Sequence, residues 1–214
     1  MDQIIIRKYR KDDRGPVRKI AWDTAFLGEA ASAFFDSRTI LAEFLTAYFT
    51  DYEPRSCFVA EADGRVVGYL IGAKDTRNLE RVFGNKIWPR LLIKAARDRI
   101  LFKIKNLTFL LHCLISYLRA EFTMPDFSKD YPATLHINLD KDYRDQKIGS
   151  RLICAYFEYL ISQGISGVRL ATMSERASSF FAQQGFNLLF KGKRSYFSYL
   201  LHKDIPIYIY GKKF

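Results

Sequence analysis

One stretch of this chain constrains its fold more than any other: a strand-like run, a short polar loop and a helical run in immediate succession. Ala133-Thr134-Leu135-His136-Ile137-Asn138-Leu139 alternates like a strand, and Leu152 to Ile161 repeats its apolar residues at helical spacing. Between them lies Tyr143-Arg144-Asp145-Gln146-Lys147-Ile148-Gly149-Ser150-Arg151. A loop that opens a helix leaves several backbone N–H groups without intrahelical partners. Those donors, with the positive end of the helix dipole, form a ready site for phosphate. Gly149 lets the backbone approach such a ligand, and Lys147, Arg144 and Arg151 surround it with positive charge. The residues predict a pyrophosphate cradle on an α/β scaffold. Taken alone, the loop also reads as an ordinary strand–helix turn.

The chain has 214 residues, of which 49% are hydrophobic, enough for one packed domain. Cys57, Cys113 and Cys154 are odd in number and widely spaced, which favours a reducing, cytoplasmic setting over a disulfide framework. The first residues, Met1 to Lys8, do not read as a signal peptide, and no long charge-free apolar stretch predicts a membrane span. His112, His136 and His202 make no metal-ligand spacing with the cysteines. The formal net charge is +11, which suits an anionic partner. Between Arg77 and Glu121, ten basic residues face three acidic ones, so +7 of that excess lies in one segment.

Ile4 to Arg7 reads as a first strand and Asp12 to Ala25 as a helix with Val17, Ile20, Ala21 and Thr24 on one face. A second helix runs from Asp36 or Ser37 to Thr50, with Ser37 a candidate N-cap. Ser56 to Glu61 and Arg65 to Ile71 read as a hairpin closed by Ala62-Asp63-Gly64. Residues 75–130 then interrupt the pattern. Trp88 to Arg97 is amphipathic, and Ile100, Ile104, Leu107, Leu111, Leu114, Ile115 and Leu118 mark a second apolar stripe, ended by Met124-Pro125-Asp126. The plainer expectation is that this stripe packs on the domain. The sharper one is a lid, or a docking face for an acceptor or for peripheral contact with an anionic membrane. After the strand–loop–helix unit come a strand at Val168 to Thr172 and a helix from Glu175 to Gln184. Ser174 caps that helix and Gly185 closes it. Two more strands are expected, Phe186 to Phe190 and Tyr196 to Leu201.

This order of elements resembles the GNAT N-acetyltransferase fold: α/β, a central mixed sheet flanked by helices, with a helical insertion between the third and fourth strands. Arg144-Asp145-Gln146-Lys147-Ile148-Gly149 is similar to the family's acetyl-CoA signature, (Arg/Gln)-x-x-Gly-x-(Gly/Ala). Ser174-Glu175-Arg176-Ala177-Ser178-Ser179-Phe180-Phe181-Ala182-Gln183-Gln184-Gly185-Phe186 is similar to Asn-x-x-Ala-x-x-Phe-Tyr-x-x-x-Gly-Phe. The resemblance covers residues 131–201 well, residues 1–74 weakly and the basic segment not at all. It implies one domain over 1–214 and acetyl-CoA as cosubstrate. The pyrophosphate would lie on backbone amides at Gln146, Lys147, Ile148, Gly149 and Ser150. The pantetheine arm would lie on the strand edge at Asn138, Leu139 and Asp140, and Arg144 would hold the motif's first position. Three positions depart from the pattern. Lys147 stands for the first glycine, a side chain the loop accepts if its φ is negative. Ser174 stands for the capping Asn. Phe181 stands for the Tyr that often protonates the departing thiolate.

Acyl transfer to an amine needs a base for the amine proton and a donor for the oxyanion. His136, Asn138 and Asp140 fall on one face of their strand, just ahead of the loop. His136 and Asp140 are candidate bases, Glu61 is a third, and the backbone N–H near Leu139 is the candidate oxyanion donor. A core histidine hydrogen-bonded in place reads His136 equally well. The leading expectation is an acetyl-CoA-dependent N-acetyltransferase acting on a small-molecule or peptide amine. The alternative is a weakly active or inactive GNAT-like module that binds CoA or a partner. Nucleic acid is disfavoured, because the basic residues are embedded in an apolar stripe and no DNA- or RNA-binding motif is present. Many GNAT proteins are dimers, and a homodimer stays open because no feature here fixes the oligomeric state.

Overall fold

The computed structural model describes residues 4–214. Seven strands form one sheet in the order β1-β2-β3-β4-β5-β7-β6. They are β1 (Ile4–Lys8), β2 (Cys57–Ala62), β3 (Arg65–Ala73), β4 (Ala133–Leu139), β5 (Gly167–Thr172), β6 (Asn187–Arg194) and β7 (Ile205–Lys213). All neighbours are antiparallel except β4 and β5. The β2–β3 turn places Asp63 and Gly64 both at positive φ (47° and 74°), the twist a two-residue hairpin needs.

Side chains alternate along each strand, so the sheet feeds a core on each face. On one face, Phe58, Leu70, Leu135 and Leu170 meet Leu152 and Tyr156 of α6 (Ile148–Ser162) and Phe181 of α7 (Glu175–Gln183). On the other, Val59, Tyr69 and Ile71 meet Val17, Ile20 and Ala21 of α1 (Arg14–Asp23), the face expected from the sequence. A third core joins α2 (Arg38–Ala47) to the helices that follow β3: α3 (Thr76–Val82), α4 (Trp88–Arg97) and α5 (Ile104–Leu118). Ser37 caps α2 by accepting from the Ile40 N–H, and Ser174 caps α7 by accepting from Ala177. Gly185 follows α7 at φ 79°.

Two expectations are corrected. Tyr196 to Leu201 is a turn leading into the short helix α8 (Ser198–Leu201), and the last strand is β7. Phe197 sits amid Phe26, Phe34 and Phe109, and that aromatic cluster outweighs the strand-like composition.

The second correction concerns α5. Its inner face carries Asn106, Phe109 and Ser116, whereas Ile104, Leu107, Leu111, Leu114 and Leu118 are exposed. Hydrogen bonding explains the inversion. Asn106 donates to the Ile100 carbonyl and accepts from the Asp36 N–H, both at 2.8 Å. Ser116 bonds Glu121, which accepts from the Ser195 N–H at 2.7 Å. Turning the helix over would bury the leucines at the expense of these satisfied buried groups. Of the expected stripe only Ile100 is buried and Ile115 half-buried. The helix stops at Leu118, ahead of the expected Met124-Pro125-Asp126 stop, and Ala120 adopts φ 57° just after it.

Candidate active site

The site is built where the sheet opens. β4 pairs with β5 only at Ala133 and Thr134, opposite Val168 and Arg169. From Leu135 onward β4 keeps its neighbour β3 and loses β5. The Asp140 N–H donates to the Val67 carbonyl on the β3 side at 2.8 Å. Alternation then turns the N–H groups of Ile137 and Leu139 toward the side that β5 has left. The result is a short stretch of main chain with free donors and acceptors, able to take an extended, amide-bearing ligand as an added strand. Tyr156 of α6 anchors the fork: its hydroxyl donates to the Thr134 carbonyl at 2.8 Å, at the last paired residue.

This edge runs into the loop at 140–147 and the start of α6. Among the described residues no side chain caps α6, so its first N–H groups remain available. Asp140 closes the strand by accepting from the Asp142 N–H (3.4 Å), which fixes its carboxylate to the loop. Gln146 donates to the Asp142 carbonyl at 3.2 Å. Arg144 donates to the Gly28 carbonyl at 2.8 Å, tying the 140–147 loop to the loop between α1 and α2. Asp145, at φ 64°, takes Arg176 of α7 in an exposed ion pair.

Lys147 differs from expectation, and Gly149 has a packing contact besides its place in the loop. Lys147 is the N-cap of α6 at φ 57°, not at a negative φ, so a lysine occupies a left-handed position suited to glycine. Gly149 is buried in the first helical turn, and a Cβ there would stand 3.0 Å from the Phe180 ring. Its missing side chain makes room for α7, which draws α6 and α7 together behind the loop. Ile148 beside it is fully buried, and Ser150 is half-buried.

His136 and Asn138 share a face of β4, opposite Ile71 and Tyr69 of β3. Asn138 Nδ2 donates to Tyr69 Oη at 2.8 Å, and His136 Nδ1 lies 3.4 Å from the same oxygen. His136 keeps some solvent contact, yet burial pushes its pKa down to about 4. Burial also holds the Tyr69 hydroxyl protonated far above the usual range. Tyr69 was not singled out from sequence, since an apolar strand reads its tyrosine as core. Glu61 lies on β2, held by Arg7, which also binds Asp13 at 2.7 Å. The structure therefore brings together His136, Asn138, Asp140 and the loop, and places Glu61 in a separate ion-pair cluster. Phe181 is buried between Phe180 and Phe186 in the main core.

The cysteines are all free: Cys57 buried, Cys113 half-buried and Cys154 exposed. Among the described residues no helix is long and apolar enough to cross a membrane.

No protein-family model matches the chain. Solved structures do match. SsHAT aligns over 99% of this chain and 98% of its own with a TM-score of 0.74 at 22% identity. The polyamine N-acetyltransferase of Drosophila melanogaster aligns over 99% and 100% with a TM-score of 0.64 at 16% identity. YncA of Salmonella typhimurium, solved with its cofactor acetyl-CoA, aligns over 98% and 93% with a TM-score of 0.55 at 12% identity. The forked β4–β5 pair, the uncapped loop ahead of α6 and these likenesses together identify the fold of this chain as that of the GNAT acetyltransferases.

Proposed function

We propose that the protein is an acetyl-CoA-dependent N-acetyltransferase. The observation that carries this reading is the fork between β4 and β5, whose unpaired edge leads directly into the uncapped start of α6. A thioester bearing a pantetheine arm and a pyrophosphate fits both halves at once. Of the edge read from the sequence as Asn138, Leu139 and Asp140, the amides of Asn138 and Asp140 turn to β3, so the arm would take the outward main-chain groups of Leu139 and its neighbour Ile137 as a strand does. The pyrophosphate would lie at the amides from Gln146 to Ser150, with the Lys147 ammonium beside it. The YncA structure holds acetyl-CoA on the same fold, which supports the choice of ligand.

The chemistry asked of the chain is modest. The acceptor nitrogen attacks the thioester carbonyl, a C–N bond forms and the C–S bond breaks. The N–H groups of Ile137 and Leu139 face the fork, where they would donate to the oxyanion. CoA thiol leaves as thiolate, a good leaving group near neutral pH, so Phe181 at the position of the usual tyrosine does not forbid turnover. The amine proton must go to a base. His136 is neutral at pH 7 with Nδ1 toward Tyr69, and would serve in the cleft as a hydrogen-bonding group. Water takes the amine proton. Asp140 caps the loop, and Glu61 balances Arg7.

The acceptor is a primary amine on a small molecule or peptide. The Drosophila protein forms N-acetylagmatine, which supports an amine acceptor in this fold. The net charge of +11 repels a polycation, which favours an acceptor that is neutral or anionic apart from its amine. The test is calorimetric titration with acetyl-CoA, followed by thiol release across a panel of amines. Binding with thiol release identifies the enzyme. A second reading, a module that binds CoA without transferring, draws on the core position of Phe181 and the left-handed Lys147. Binding with no release for any amine would select it, and no binding would defeat both.

A further inference from the structure

We propose that the outer face of α5 docks on an anionic membrane surface. This inference is independent of the acetyl-transfer reading. Ile104, Leu107, Leu111, Leu114 and Leu118 recur at three- and four-residue steps along one side of the helix. All are exposed, from 53% at Leu111 and Leu114 to 83% at Ile104. Among the described residues nothing covers them, because the inner face is committed to Asn106, Phe109 and Ser116. A contiguous apolar strip of this kind on a soluble surface marks a contact site.

Charge selects the occupant. The outer strip itself carries no charged residue, and cations cluster at its ends: Arg99 and Lys103 before it, Arg119 after it. Arg99 and Lys103 have no acidic partner among the described residues; Lys103 reaches only the Asp36 carbonyl, at 3.5 Å. Phe102 and Tyr117, 79% and 67% exposed, stand at the two ends, as aromatic rings do at a headgroup boundary. An apolar strip with flanking cations and end aromatics fits a surface that offers both acyl chains and negative headgroups. A second copy of the chain would bring two segments of charge +7 against each other, which disfavours self-association through this face.

The test uses the full chain and two vesicle preparations. One is phosphatidylcholine alone, the other three parts phosphatidylcholine to one part phosphatidylserine. The protein should sediment with the anionic vesicles, with apparent affinity for the neutral ones about tenfold lower or less. Leu111→Glu with Leu114→Glu changes only exposed positions, so the thermal melt should be retained while anionic-vesicle affinity falls about tenfold. Arg99→Glu with Lys103→Glu should cause a loss of similar size that grows at low salt. Equal binding to both vesicles would overturn the proposal, as would sedimentation with neither. A dimer that Leu111→Glu with Leu114→Glu dissociates, without vesicle binding, would assign the face to a second copy instead.

Discussion

Asn138 Nδ2 donates to Tyr69 Oη at 2.8 Å across a directly opposed pair of β3 and β4. Tyr69 is fully buried and stays protonated, so its own hydroxyl proton needs an acceptor. His136 Nδ1, at 3.4 Å, supplies one. The three groups then form an ordered chain from Asn138 through Tyr69 to His136, which leaves the imidazole proton on Nε2. Nitrogen-15 NMR at neutral pH should find that tautomer dominant. Tyr69→Phe should raise the share of the other tautomer; an unchanged spectrum would mean that the hydroxyl does not order the ring.

The same histidine sets a pH dependence of stability. Its pKa is about 4 in the fold, against 6.5 when exposed. Above 6.5 neither state binds the proton. Between 6.5 and 4 the unfolded chain binds it and the native chain does not, so stability falls as the pH drops through this window, in total by at most about 3 kcal/mol. His136→Gln removes the titrating group. Urea unfolding of both proteins at about pH 7.5 and about pH 4.5 should show a smaller acid loss in the variant. Identical acid losses would refute the burial of His136.

Lys147 separates strain from charge at one position. Its φ of 57° costs a non-glycine residue on the order of 1 kcal/mol, so Lys147→Gly should stabilise the fold by about that much. Lys147→Glu keeps the strain and reverses the charge beside the α6 amides. Its acetyl-CoA affinity should fall about tenfold, whereas the glycine variant should stay within about threefold of wild type. Equal affinities for all three would remove Lys147 from the ligand site.

Local rules carried most of the fold because its elements follow them. The Asp63-Gly64 turn, the Ser37 and Ser174 caps and the span Trp88–Arg97 need only nearby residues. What stayed hidden depends on distant partners. The outward turn of α5 is set by Asp36, Ile100 and Glu121, which no periodicity reveals. The packing role of Gly149 is set by Phe180, thirty-one positions away, and the loop sequence gives no sign of that helix–helix contact. Tyr69 and Asn138 meet through strand register, and a tyrosine in an apolar run gives no sign of its hydroxyl partner. In β7, Pro206 interrupts Ile205 to Tyr210, which masks a strand that pairs on both sides from Tyr208 to Gly211.

The fork itself rests on Tyr156. Its hydroxyl donates to the Thr134 carbonyl at 2.8 Å and lies 3.3 Å from the Ala73 carbonyl, so one buried group of α6 ties β3 and β4 at the point where β5 departs. Gly72 leaves the space that the tyrosine ring fills. Tyr156→Phe keeps the ring and removes the donor, which leaves the Thr134 carbonyl without that part-buried bond. The expected cost is about 1–3 kcal/mol of stability. A fork that is looser should also bind its ligand less well, because ordering the β4 edge would then fall to the binding step. Acetyl-CoA affinity should drop about threefold to tenfold in the phenylalanine variant at a temperature where it is fully folded. Calorimetry and thermal unfolding on the same samples separate the two effects. A stability loss with unchanged affinity would show that β4 holds its opened edge without Tyr156. Loss of both would make this hydroxyl the link between the α6 core and the ligand edge.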